Sequence, residues 1–145
     1  MPTALSSTSF SMAIHLLTLL ALAEGELLAS SHLAESIGTN PSFLRQLVGK
    51  LRDAGLVETK LGKGGGTRLI RDSHTVRLLD IYRATEKAPP MAQHDCSDDS
   101  KCKVERRMSE VFSTLNLRIQ RAVERELAST SLADVVQQRD LNDRD

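Results

Sequence analysis

The sequence predicts a mainly α fold with a small β-hairpin wing: a winged helix-turn-helix followed by a long C-terminal dimerisation helix. Three observations predict it. Two amphipathic runs, at 30–37 and 41–54, are separated by only Gly38-Thr39-Asn40. Two alternating runs flank Gly62 and Gly64-Gly65-Gly66. A single apolar stripe then recurs at helical spacing from Val104 to Val123.

The first helix starts near Ser9 and is expected to bury Phe10, Ala13, Ile14, Leu17, Leu20 and Ala21. Met12 to Ala23 is apolar, and Ala21-Leu22-Ala23 has the look of a cleavage site. However, no Lys or Arg precedes it, His15 and Thr18 interrupt it, and it is too short to span a bilayer. A core helix is therefore the favoured reading, with His15 at the core edge. Glu24-Gly25-Glu26 is a turn, and Leu27-Leu28 a short strand able to join the wing. Ser30 or Ser31 is the expected cap of the second helix, which carries Leu33, Ala34 and Ile37 and ends at Gly38.

Asn40 and Pro41 then supply an N-cap and a first helical residue whose missing N–H costs nothing. The third helix carries Leu44, Leu47, Val48 and Leu51 on one side and stops at Gly55, a natural left-handed position. Leu56 to Lys60 alternates as a strand, the glycines allow a reversal, and Thr67 to Ile70 returns. Val76, Leu78, Leu79, Ile81 and Tyr82 mark a fourth helix, with Asp80 favourable to its dipole and Ala88-Pro89-Pro90 ending it. The long stripe comprises Val104, Met108, Val111, Phe112, Leu115, Ile119 and Val123. A helix of that kind must bury its stripe, and a second copy of the chain is the simplest partner. Ser131 and Asp134 have the spacing of a capping box for a short terminal turn. The organisation expected is 1–86 winged helix-turn-helix, 87–103 sensor loop and linker, 104–136 dimerisation helix and short terminal helix, and 137–145 flexible tail.

At 145 residues this is one domain with an extension, and its formal net charge is zero. The charge is nonetheless uneven. From Gly38 to Arg71, seven basic residues (Arg45, Lys50, Arg52, Lys60, Lys63, Arg68, Arg71) face only Asp53 and Glu58. Binding to duplex DNA requires such a concentrated patch rather than a basic whole. Ser42, Arg45, Gln46 and Gly49 share the face of the third helix opposite its apolar stripe. Arg and Gln are suited to bidentate readout of guanine and adenine. Ser42 suits a phosphate or base at the helix start, and Lys50 a phosphate. Lys63 and Arg68, on the wing, suit a minor groove or flanking phosphate. The DNA-contact set is thus Ser42, Arg45, Gln46, Lys50, Lys63 and Arg68.

Other functions find less support. No histidine stands in a motif with a nucleophile, so no catalytic residue is identified and no enzyme is expected. The glycine run lacks a Gly-Lys-Thr triplet and has strand flanks, unlike a phosphate loop. The aromatic rings are too scattered for an RNA-stacking sheet. A winged-helix module that binds protein rather than DNA is the non-DNA alternative.

The run RQLVGKLRDAGLVETKLGKGGGTRL, then LLDIYRATE and the terminal SLADVV, resembles the Rrf2-type bacterial transcription regulators over about residues 8–136. The resemblance implies a cytoplasmic homodimeric repressor or activator that binds double-stranded DNA, with a palindromic operator and no membrane association. The long C-terminal helix would make the dimer. Some members sense through an iron–sulfur cluster on three cysteines, others through reactive thiols or small ligands. A Thr often stands in the family where Arg77 stands here, so the usual helix cap is missing.

The two cysteines, Cys96 and Cys102, lie in the acidic loop with His94 and form the candidate sensor. They reproduce one gap of the cluster pattern, but the third slot is Met108. An iron–sulfur cluster or zinc would thus need atypical ligands, and no metal ligand or resident cofactor is assigned. A thiol switch is the second reading: Cys102, between Lys101 and Lys103 at a helix start, is the better nucleophile, with Cys96 as resolving partner. The third is that both are inert and the effector binds elsewhere.

Overall fold

Amphipathic spacing dictates which sides of the helices meet, and the computed structural model shows how, describing residues 3–92 and 102–142 with side chains to residue 137. The elements are α1 (Ser9–Leu22), α2 (Ser30–Ile37), α3 (Pro41–Asp53), β1 (Val57–Lys60), β2 (Gly66–Leu69), α4 (Leu78–Thr85), α5 (Lys103–Ala128) and α6 (Leu132–Asn142). Helix α1 is the hub, packing against α2, α3, β2, α4 and α6.

Within α1 the buried residues are Ala13, Leu16, Leu17, Thr18 and Leu20. Leu16 is buried where Phe10, Ile14 and Ala21 had been expected and are half-buried, because elements on more than one side of α1 widen its buried face beyond a single stripe. Thr18 is accommodated by donating its hydroxyl to the Ile14 carbonyl at 2.7 Å. His15 is exposed rather than at the core edge. Neither Ser30 nor Ser31 caps α2; Ala29, in extended conformation, is the N-cap and makes no side-chain hydrogen bond.

Leu28 pairs with Thr67 in a single bridge, adding the stub of a third strand to the β1–β2 hairpin. Arg77 precedes α4, and the Asp80 carboxylate accepts its backbone N–H at 2.9 Å, replacing the cap that Arg cannot provide. Helix α4 stops at Thr85, ahead of the prolines, with Glu86 already extended.

The C-terminal region departs most from expectation. Ser131 and Asp134 do form a reciprocal capping box, at 2.9 and 3.1 Å. The helix they start continues to Asn142, so the backbone is helical beyond residue 136, where a tail had been expected to begin. Leu132 is fully buried in the same core as Leu16, Leu17 and Ile81. The Leu132 N–H donates to the Val76 carbonyl at 2.8 Å and the Ala133 N–H to the Ser73 carbonyl at 3.0 Å. A boundary at residue 86 therefore does not divide the core, because α6 completes it.

Helix α5, 26 residues long, leads into that return. Asn116 accepts the Met91 N–H at 2.9 Å, and the Tyr82 hydroxyl lies 3.4 Å from Gln120. These contacts fasten its second half to α4 and the segment after it. Truncating the side chain that closes the core, Leu132→Ala, is expected to cost about 2–5 kcal/mol; urea unfolding followed by circular dichroism checks this.

Candidate nucleic-acid interface

Local rules fix both ends of α3, and thereby which of its sides faces out. The Asn40 carboxamide oxygen accepts the Phe43 N–H at 2.8 Å, and Pro41 occupies the first turn. At the other end Gly55, with φ 73°, donates to the Arg52 carbonyl at 2.9 Å, and Leu56 donates to the Leu51 carbonyl at 3.0 Å. This paired pattern terminates the helix and turns the chain directly into β1. Between those ends Leu44, Leu47, Val48 and Leu51 are buried.

The opposite face then presents Ser42, Arg45, Gln46 and Lys50, all exposed. Gly49 lies between them, half-buried, and a Cβ added there would come no nearer than 4.0 Å to the Arg52 guanidinium.

The hairpin register pairs Val57 with Leu69, Glu58 with Arg68, Thr59 with Thr67 and Lys60 with Gly66. Backbone approach, not turn preference alone, demands its glycines. A Cβ on Gly65 would lie 2.1 Å from the Lys60 carbonyl oxygen, and one on Gly66 2.4 Å from that of Leu28. The turn carries Lys63, exposed, and Leu61, 94% exposed. Between α3, the start of α2 and the wing runs a groove of about 640 Å³, lined among others by Ser31, Arg45, Arg52, Lys60 and Leu61. The Arg52 guanidinium reaches the Thr59 hydroxyl at 3.5 Å, a long contact between helix and wing.

All six expected DNA-contact residues are thus exposed, five of them on α3 or the wing tip and Arg68 on β2. Arg68 differs, since its guanidinium pairs with the Glu58 carboxylate directly across the strands. Opposite charges at facing positions of a hairpin stabilise its register. That pairing was readable only once the register was known. Lys60 and Arg52, absent from the expected set, line the groove; their place in the local basic run was the available signal.

Of the candidate sensor, Cys102 is exposed and is the N-cap residue of α5. Cys96 and His94 lie outside the described residues. The cluster pattern of the family takes three cysteines and this chain has two, so its cysteines alone do not supply that donor set and a cluster would need an atypical ligand. Among the described residues no group of three or more His, Cys, Asp or Glu is placed to hold a metal. Among them, too, no helix is long and apolar enough to cross a membrane.

Comparison with known proteins gives a concordant picture. A family model described as Rrf2, iron-dependent transcriptional regulator, matches residues 6–138. The protein named "Putative HTH-type transcriptional regulator YwnA" of Bacillus subtilis (strain 168) is 31% identical over 130 residues, covering 90% of this chain and 96% of YwnA. IscR of Vibrio cholerae, likewise an HTH-type transcriptional regulator by name, is 34% identical over 74 residues, 48% of this chain and 43% of IscR. Among solved structures, T. potens IscR aligns with a TM-score of 0.66 at 27% identity, covering 92% of this chain and 86% of that one. CymR (YrzC), the global cysteine regulator of B. subtilis, aligns with a TM-score of 0.64 at 28% identity, covering 91% and 95%.

The close approach at the wing has a direct test. Gly66→Ala is expected to break the Leu28–Thr67 bridge and cost about 1–3 kcal/mol through forced backbone movement. Gly49→Ala is expected to stabilise α3 by up to about 1 kcal/mol. Thermal unfolding of the two variants, with amide exchange at Thr67, separates them.

Proposed function

Because this chain belongs to the Rrf2 family of DNA-binding transcriptional regulators, we propose that it binds a palindromic operator as a homodimer and represses by occupying the promoter. The observation that carries this reading is the segregation of α3. One side supplies four core residues, and the other presents Ser42, Arg45, Gln46 and Lys50 beside a glycine-built wing. Arg45 and Gln46, in the first half of α3, are the base readers, because a recognition helix meets base edges with its N-terminal residues. Ser42, Lys50 and Lys63 hold phosphates and set the docking register. Arg68, neutralised by Glu58, acts mainly by stiffening the wing and secondarily at the DNA backbone.

The dimer follows from α5. Along this helix no residue is fully buried, and Val104, Val111 and Leu115 are 66%, 40% and 37% exposed. An apolar stripe of that length in water favours pairing with the same stripe of a twin, and two-fold symmetry matches a palindrome. The units at work are the winged region, whose core α6 completes, the segment between α4 and α5, and α5, which joins the twins. Its setting is the cytoplasm, where thiols are kept reduced. Cys102, at the N-cap of the dimer helix, is the thiol through which an oxidant or electrophile acts, with Cys96 as its resolving partner. No metal or other resident cofactor enters this reading, and no enzymatic step belongs to it.

Gel-shift titrations on cognate and scrambled duplexes, with the mass of the complex from sedimentation, test the reading. Arg45→Ala is expected to lose about 1–3 kcal/mol on the cognate site and little on the scrambled one. Lys63→Ala is expected to weaken both alike and to reduce the salt slope by about one. Identical profiles for the two variants, or a monomeric complex, would refute it. For the thiol, Cys102→Ser is expected to abolish the response of operator binding to diamide, peroxide and quinones; an undiminished response excludes the switch.

A further inference from the structure

A second basic feature lies apart from the DNA-facing groove. Arg118, Arg121 and Arg125 recur at intervals of three and four on the second half of α5, so they form one ridge. With Leu79 of α4 and Ala128 they line a cleft of about 550 Å³ between the two helices. It is a shallow cleft, open to solvent along one side, so a ligand there would be held by charge rather than by enclosure. The cleft shares no residue with the groove between α3 and the wing.

The single acid in its lining is already engaged. One oxygen of Glu124 accepts from the Gln120 carboxamide at 2.9 Å, and the other faces Arg83 of α4 at 3.7 Å. Among the described residues no carboxylate lies within ion-pair distance of Arg118, Arg121 or Arg125. Three exposed guanidiniums on successive turns of one helix repel one another, and Glu124, the one acid beside them, makes its ion pair with Arg83 instead. Their planar, forked donors suit an oxyanion bound through two oxygens at once, which a lysine ridge would not provide. Leu79 and Ala128 add a small apolar floor.

We propose that the cleft between α4 and α5 is an effector site for a small multivalent oxyanion, a phosphate ester or a di- or tricarboxylate. Its position gives the ligand leverage. Helix α4 packs against α3 on one side and α5 on the other. An anion clamped by α5 over Leu79 therefore holds α4 against the helix that carries the dimer stripe. Occupancy at that junction changes how firmly α3 is oriented relative to the twin's α3. The assignment goes beyond the DNA reading and does not need it, since binding is measured without DNA.

The full chain is titrated with glycerol phosphate and, separately, with succinate and citrate, at ionic strength held constant with sodium chloride. Calorimetry and the thermal midpoint by circular dichroism are the readouts. Expected is saturable binding of one anion per chain with a rising midpoint, from either the phosphate arm or the carboxylate arms, which identifies the source. Arg121→Gln should weaken it about tenfold or more. The single variant carries the test should an Arg118→Gln/Arg121→Gln/Arg125→Gln variant fail to fold. Midpoints that follow ionic strength without saturating would overturn the proposal, as would saturable binding unchanged in Arg121→Gln. An uneventful anion titration, with a uniform loss of affinity for all duplexes in the arginine variants, would also overturn it and make the ridge a DNA-backbone contact.

Discussion

The structure depends on one constraint: α3 must bury Leu44, Leu47, Val48 and Leu51 while its far side stays in water. Burial of those four side chains is non-directional, so it fixes where the helix lies but not which residue begins or ends it. The ends are set by directional chemistry, the Asn40 cap and the left-handed Gly55. Hydrophobic burial and hydrogen bonding together determine the rotation and extent of α3. Rotation by one residue, about 100°, would carry Arg45 and Gln46 out of alignment with the wing. The exposed polar face of α3 is therefore specified from behind, by the residues it buries.

The same division explains how much of the molecule was legible in its sequence. Helix α3, its cap, its terminator and the hairpin were readable because each rests on contacts within a few residues. The capping box of Ser131 and Asp134 was readable for the same reason. What was not readable needed contacts between distant segments. Leu16 and Leu132 are buried because α6 returns to α1 and α4, and no local periodicity announces a return from about a hundred residues away. Ser30 and Ser31 are good capping types that cap nothing, because the pairing of Leu28 with Thr67 fixes the chain's entry into α2 one residue earlier. Of the interface, Ser42, Arg45, Gln46, Lys50 and Lys63 were legible as exposed positions on α3 and the wing. The engagement of Arg68 by Glu58 was not, since it depends on register.

Helix α5 shows how one element serves two purposes along its length. Its second half is fastened through Asn116, Gln120 and Glu124 to α4 and the residues after it. Its first half carries Val104 and Val111 into solvent. At 1.5 Å per residue the helix spans about 39 Å, so a rigid rotation at the fastened end becomes a displacement of several ångströms at the other. Because Met91 is tied to Asn116, and Ala4 donates to the Pro89 carbonyl at 3.0 Å, the stem of the cysteine-bearing loop is held to both α5 and the N-terminal arm. Strain arising near that stem thus has a mechanical route to α5 that bypasses the core.

Zero net charge is also part of the design of such a protein. A uniformly basic chain would bind any duplex tightly through counterion release and would resist pairing with its own copy. Here ten of the nineteen Lys and Arg residues lie in the stretch from Gly38 to Arg71 or on the arginine ridge of α5, while Asp95, Asp98 and Asp99 form a separate acidic cluster. Segregation keeps a local field strong enough to steer association with phosphate over a Debye length of about 8 Å. It also removes the long-range repulsion that would oppose bringing two chains together. The fewer the phosphates neutralised, the smaller the sequence-independent share of binding, and the more the outcome rests on contacts to base edges. Selectivity in a chain this small follows from restraint in charge as much as from the residues that read.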